Sequence, residues 1–376
     1  MKHVGRATGL ALTGLLLSSV AVWAGPKVVS GPGANAACFK PWSEKTKFFQ
    51  WDKQAGPYKI ALVNGFVGNT WRIQMVKTAK AFAEQPGIKE NIKEFKVVST
   101  GTDVAAQLGA MEDFINQGVQ AIVTIAVAPD GFDRIIRLAD KNNVVVVPFD
   151  NILDTDKVMM VNEDQKEMGR KSAHWVIDQS GKTSGDVLEV RGLPGNSVDR
   201  DRHLGFREVM EAAPNKFNIT EVVGNWDTGT SQKVTADALA VHGHFDAVFT
   251  QGGSDGTVQA MIDAHHPFVA MSGEGENEYR KQIAEHSKDG LKGMSYGQSP
   301  ALVAIAMKAA ISALQGNVMP QLISIPIPIA TYKDLKPGVN YWPELKANFF
   351  ADNQFTPCGV DFTAPQIMAQ SEKNTQ

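Results

Sequence analysis

The residues best equipped for chemistry in this chain stand at the ends of short apolar runs. Asn64, Asn69, Trp71 and Arg72 follow Lys59-Ile60-Ala61-Leu62-Val63, and Asp150 and Asn151 follow Val144 to Val147. Arg191, Asn196, Asp199, Arg200 and Arg202 come after Val190, and Trp226 with Asp227 after Val223. Gln251 and Asp255 come after Phe249, Glu274 after Met271, and Gln298 after Ser295-Tyr296. Carboxylates, carboxamides and guanidinium groups donate and accept in pairs, which matches the vicinal hydroxyls of a polyol. An indole covers the weakly apolar C–H face of a ring and leaves the edge hydroxyls free. The set reads as binding chemistry for a small hydroxylated solute.

Each residue also has a plainer role open to it. Asn69 suits a helix N-cap, Asp150 after Pro148-Phe149 suits a turn, and Trp71 suits packing. Arg200 stands among Asp199, Asp201 and Arg202, where a solvated ladder of ion pairs is the alternative. Gln251 and Asp255 flank the turn Gly252-Gly253, which leaves open which of them meets a solute. The sequence has no phosphate loop, paired-histidine metal motif or dinucleotide fingerprint. His242-Gly243-His244 and His265-His266 come nearest to metal ligands and lack a third partner. No catalytic residue, cofactor or metal is therefore expected. Asp150 and Glu274 keep one enzymatic alternative open, a secreted sugar hydrolase with two carboxylates flanking one bond.

These residues need elements to position them. Near-continuous β-branched runs alternate with stretches of helical spacing, as parallel sheets covered on both faces demand. The first series passes through Val63, Val98, Ile125 and Val147, with helices predicted from Trp71 to Phe82, Val104 to Gln117 and Phe132 to Asn142. After Asp150 the rhythm restarts and passes through Val161, Val190, Val223, Phe249 and Met271, each run again followed by a helical stretch. Two successive βα series predict an α/β chain of two doubly wound parallel-sheet lobes joined by a multi-strand hinge. A late helix from Ala301 to Leu314 and the apolar run Leu322 to Ile329 make the chain cross between lobes more than once. Residues 58–161 plus 299–327 are assigned to lobe 1, and 162–298 plus 328–340 to lobe 2. In open parallel sheets, ligands sit beyond the carboxyl ends of the strands.

Residues 1–24 read as an export signal. Lys2, His3 and Arg6 are basic, Leu10 to Val20 is apolar but shorter than a membrane span, and cleavage is expected after Ala24. Residues 25–57, rich in Gly, Pro, Ala and Lys, are expected as a surface arm, and 341–376 as a tail with no role beyond packing. In an oxidising compartment the two cysteines, Cys38 and Cys358, are expected to pair and tie arm to tail. The formal net charge of −3 leaves no basic excess for a nucleic acid partner.

The order of several segments carries a resemblance. They are Ile60-Ala61-Leu62-Val63 to Asn69-Thr70-Trp71, Val147-Pro148-Phe149-Asp150-Asn151, and Ser197-Val198-Asp199-Arg200-Asp201-Arg202 to Gly205-Phe206. Asp246-Ala247-Val248-Phe249, Glu274-Gly275 and Tyr296-Gly297-Gln298 continue it. From about Tyr58 to Ala330 the chain resembles the periplasmic sugar-binding proteins of the ribose/galactose/xylose type, which serve ATP-driven importers. The resemblance implies the type I periplasmic-binding-protein fold, with a sugar or polyol held between the lobes. It also implies a periplasmic monomer that delivers its ligand to the membrane permease of an ABC importer. It makes Trp71 the sugar-stacking aromatic, Asp150 and Asn151 the ring-facing pair, and Arg200 the clamping arginine. Glu274 becomes the acid of the second lobe and Gln298 the hinge-side amide. Three departures stand out: Arg72 where the family often has a second aromatic, Gln251 to Asp255 where it commonly has Asn-Asp, and Glu274 where it usually has Asp. A sensor that hands its solute to a chemoreceptor is an alternative with the same ligand chemistry.

Overall fold

The computed structural model describes Met1 and residues 25–66, 68–212, 214–345 and 349–375. Apart from Met1, the expected export signal lies outside the described residues. The first sheet orders its strands Ile92–Ser99, Tyr58–Asn64, Ala121–Ile125 and Val145–Pro148, all parallel. A parallel bridge from Phe149 to Val161 leads on to Met160–Glu163, which pairs in parallel with Leu322–Ile325. The central strands are buried almost throughout, because helices cover both faces. Thr70–Ala83 and Leu302–Leu314 pack on one face, and Val104–Asn116 and Asp133–Lys141 on the other. Leu302–Leu314 is apolar nearly all round and correspondingly buried. Phe39, Phe49 and Trp51 of the arm and Phe355, Val360 and Phe362 of the tail join its cluster.

The second sheet orders Ile329–Thr331, Lys292–Tyr296, Ala270–Glu274, Ala247–Thr250, Ser184–Arg191 and Lys216–Val223. Its edge strand Ile329–Thr331 is antiparallel and the other pairings are parallel. Helices Gln165–Ser180 and Ser197–Met210 cover one face, with Thr228–His242, Ser254–Asp263 and Asn277–His286 on the other. The first two of these helices meet backbone to backbone at Gly169 and Gly205. A Cβ on Gly169 would lie 2.1 Å from the Arg202 carbonyl oxygen, and one on Gly205 1.9 Å from that of Lys166. Any side chain there would force the helices apart, so the glycine pair sets how the helix carrying Arg200 and Arg202 is turned.

The chain crosses between the sheets after Glu163, after Tyr296 and after Ile325. The strand runs past the expected boundary after residue 161, because Asn162 and Glu163 continue its register with Ser324 and Ile325. The run Leu322 to Ile329 forms two strands in different sheets, broken where Pro326 and Pro328 interrupt the ladder. The tail packs against both lobes and straps them together. The Trp342 and Phe349 carbonyls accept from the second-lobe Asn277 at 2.8 and 2.7 Å. Gln74 of the first lobe then donates to the Phe350 carbonyl at 3.1 Å and to Asn353 Oδ1 at 2.9 Å. The Cys38–Cys358 disulfide pins the strap to the arm, with Cα atoms 4.7 Å apart. Among the described residues, no helix is long and apolar enough to cross a membrane.

Candidate functional site

The strand ends of the two sheets face each other around a small chamber. Asn69, Trp71, Arg72, Asp150 and Asn151 line it from the first lobe, Val198, Trp226 and Glu274 from the second, and Gln298 from a crossing segment. On the first-lobe side, Asn69 caps helix Thr70–Ala83 by accepting from the Arg72 N–H at 3.0 Å, so Trp71 and Arg72 occupy its first turn. The Trp71 indole N–H donates to the Gln298 carbonyl at 3.0 Å. Arg72 donates to Asn64 Oδ1 at 2.9 Å, and Asn64 is held in turn by Ser99 at 3.0 Å. Asp150 adopts φ of 58°, a left-handed conformation that Asp tolerates, and its N–H donates to the Val161 carbonyl at 3.0 Å. Burial pushes the Asp150 carboxyl up to about 7, against the pull of Arg72 and Arg202. Burial also lowers the Arg72 guanidinium to about 10, with Asp150 opposing the shift.

On the second-lobe side the central group is Arg202, whose side chain is 0 % exposed. It donates to Gln165 Oε1 at 2.9 Å, to the Gln251 carbonyl at 2.8 Å and to Glu274 Oε1 at 2.7 Å. Its remaining terminal nitrogen donates to Gln298 Oε1, and Gln298 Nε2 donates to Asp150 Oδ1. Glu274, Arg202, Gln298 and Asp150 thus form an unbroken chain of contacts from one lobe to the other. The guanidinium also lies 5.2 Å from the Tyr296 ring centroid. Burial raises the Glu274 carboxyl, and Arg202 restrains the shift. Trp226 has φ of 56° directly after Asn225 at 55°, a conformation uncommon for a bulky residue. Gly192 makes its indole possible, since a Cβ there would come within 2.2 Å of the ring.

The sequence model of the periplasmic binding protein domain matches residues 60–317. The chain belongs to this family. The match takes in most of both lobes and leaves out both cysteines, the arm and the tail. The chain is 25% identical over 294 residues to the ribose import binding protein of Bacillus subtilis, covering 76% of this chain and 92% of that one. It is 26% identical over 217 residues to a D-ribose/D-allose-binding protein of Pseudomonas aeruginosa, covering 55% and 65%. The binding protein of the arabinose ABC transporter from Shewanella sp. ANA-3, solved with arabinofuranose bound, matches with a TM-score of 0.65 at 25% identity. That match covers 73% of this chain and 92% of the other. The expected family and fold class therefore hold.

In this periplasmic binding protein, eight of the residues expected from sequence line the chamber: Asn69, Trp71, Arg72, Asp150, Asn151, Trp226, Glu274 and Gln298. Asn64 stands behind them and orients Arg72. Gln251 backs Arg202, while its Nε2 donates to the Asp199 carbonyl at 3.2 Å. Asp255 accepts from Thr228 at 2.9 Å and does not line this chamber. Arg200, expected as the clamping arginine, does not line this chamber. It lies at the solvent edge between the lobes, paired with Asp154 at 2.8 Å and Asp201 at 2.7 Å, as its acidic neighbours allow. Two positions along a helix are a rotation of roughly 200°, so the crossing that turns Arg202 inward turns Arg200 out.

Sequence reasoning misses several buried groups. Glu163 is fully buried at the end of an ordinary strand, and neither carboxylate oxygen has a hydrogen-bond partner among the described residues. Burial, with Asp150 nearby, holds its carboxyl well above the usual range. Glu276 follows Glu274 by two positions, and Phe350 comes from the tail; no local pattern marks either. Among the described residues, one cluster could approach a cation, Glu189 with His203 and Glu221. Arg207 pairs with both of its carboxylates and Arg191 with one, so the protein already neutralises it.

Proposed function

We propose that this periplasmic binding protein is the solute receptor of an ATP-driven importer and closes its lobes over a monosaccharide or a polyol of similar size. One observation carries the reading: the contacts Glu274–Arg202–Gln298–Asp150 draw donors and acceptors of both lobes to one buried point. A hydroxylated solute inserted there takes the place of Gln298 between guanidinium and carboxylate, with charge-assisted hydrogen bonds on both sides. Those bonds form together only when the lobes meet, so binding and closure are one equilibrium. Trp71 and Trp226 offer ring faces to the C–H side of the solute, and Asn69, Arg72 and Asn151 supply further polar contacts. Relatives named for ribose and allose, and a neighbour holding arabinofuranose, support a sugar as the ligand class. The receptor works in the periplasm after export, as a monomer, and passes its solute unchanged to a membrane permease.

A thermal-shift screen over pentoses, hexoses and polyols, followed by calorimetry, tests this. A ligand that binds only the folded state adds about 2.7 kcal/mol of stability at a hundred times its Kd. Small-angle scattering should then show compaction at saturation, and chromatography should recover the solute intact. Stabilisation by no sugar or polyol overturns the reading, and turnover of the solute moves it to an enzyme.

A further inference from the structure

A second chamber opens beyond the indoles, and its chemistry differs from that of the first. Asn69, Trp71, Trp226 and Glu274 line both, so the two are immediate neighbours. The second offers about 90 Å³ to water-sized groups, against about 20 Å³ in the first. Arg72 lines the first chamber, whereas among the described residues the lining of the second contains no Lys, Arg or His and adds Asp227, Glu276 and Phe350. Asp227 Oδ1 is taken up in capping its own helix. Glu276 is different. It is 3 % exposed, and its Oε1 accepts from the N–H groups of Gly253 at 2.6 Å and Ser254 at 3.2 Å. Its Oε2 has no hydrogen-bond partner among the described residues. Burial, reinforced by Asp255 and Glu274, pushes this carboxyl up to about 8.

We propose that the second chamber is a subsite for a positively charged nitrogen, and that the solute is an amino sugar or amino polyol with its hydroxyls in the first chamber. This rests on the receptor reading above. An ammonium is a compact cation with three donors and no acceptor. Glu276 Oε2 is a buried acceptor with capacity to spare, and Glu274 adds a second carboxylate. The faces of Trp71, Trp226 and Phe350 attract a desolvated cation through their ring quadrupoles. Glu274 already has Arg202 as its counter-charge, but a neutral hydroxyl would leave Glu276 without one in a buried site, whereas an ammonium offsets the cost of keeping it ionised. The first chamber, with Arg72 and Arg202 beside Asp150, holds its own counter-charges and has no such demand.

Calorimetric titration at pH 7 decides the matter, using D-glucosamine, D-galactosamine, D-mannosamine and 1-amino-1-deoxy-D-sorbitol. Each is compared with its neutral parent, and each hexosamine also with its N-acetyl derivative. At least one amine should bind about tenfold or more tightly than its parent, and N-acetylation should remove the advantage. Glu276→Gln should bring that amine down to the parent's affinity and leave the parent within about threefold, which also reports that the variant is folded. A neutral sugar or polyol that binds as well as every amine overturns the subsite and leaves the receptor intact. An amine preference that survives Glu276→Gln overturns it too. Binding of nothing in the panel or the wider screen overturns both readings. If Glu276→Gln does not fold, the wild-type comparison of amine, parent and N-acetyl derivative is sufficient.

Discussion

The interior of the cleft and its solvent edge are both bridged by an arginine of helix Ser197–Met210, yet in opposite electrostatic regimes. At the edge, Arg200 makes four contacts to the carboxylates of Asp154 and Asp201. Its side chain is 41 % exposed and that of Asp154 51 %. Pairs of this kind contribute about 0–1 kcal/mol, because water and salt screen them. In the interior, Arg202 reaches a single carboxylate and three amide oxygens, all out of water. Removing one partner of a buried pair costs about 3–5 kcal/mol, mostly for the charge left behind. Burial, rather than the number of ionic contacts, separates the arginine that defines the site from the one that decorates its edge.

Arg202→Ala should test this with the largest effect. It strands Glu274 and removes the donor from the second lobe, so solute affinity should fall by about a hundredfold or more. The thermal midpoint should fall with it. Arg202→Met, which refills the space, should recover stability but not binding. Calorimetry showing near-native affinity for the methionine variant would break the distinction between interior and edge.

Asp150→Asn keeps the shape and removes the charge. Affinity should fall about tenfold, the value of one charge-assisted contact, while the ligand-free protein becomes no less stable. A buried carboxylate is expensive to ionise, so the same residue yields a pH signature. Its carboxyl is raised in the fold from 3.8 to about 7. The folded state therefore keeps a proton that the unfolded chain loses. The associated stability is fully present below pH 3.8 and is lost as pH rises through about 7. Glu276, raised from 4.5 to about 8, acts in the same direction. Between pH 5 and 8 the thermal midpoint of ligand-free protein should fall, with each group contributing at most about 1.4 kcal/mol per pH unit. Asp150→Asn should make the slope shallower, and a profile identical to that of wild type would remove Asp150 as a cause.

The smallest effect is expected at the edge. Arg200→Ala should leave solute affinity within about threefold, and raising salt should shrink even that difference. A tenfold loss in calorimetry would show that the solvent edge takes part in recognition.

Particular residues show what was legible beforehand. Asp150 and Gln298 could be placed because they end strands of a parallel sheet, and the ligand side of such a sheet follows from its topology. Trp71 could be placed because Asn69 announces the helix start. Arg200 was the natural choice over Arg202 only while helix phase was unknown. Glu163 ends an unremarkable β-run, and its lack of a hydrogen-bond partner among the described residues appears only once the fold places it near Asp150 and Arg202. Gln251 and Asp255 sit after the right strand, but the Gly252-Gly253 turn sends one behind Arg202 and the other toward Thr228.

The alternation of β-branched runs with amphipathic stretches pointed to two doubly wound α/β sheets and to the strand ends where polar groups collect, and the family resemblance added the binding-protein architecture. Those features follow from backbone periodicity, which is local and readable along the chain. Tertiary structure alone decided which arginine enters the cleft, which carboxylate oxygens are sealed without partners among the described residues, and that a tail strapped over the hinge brings Phe350 to the site. These depend on how far each charge is removed from water, and the atoms that exclude the water come from segments far apart in sequence. They meet only once Gly169 has docked on Gly205 and the lobes have closed.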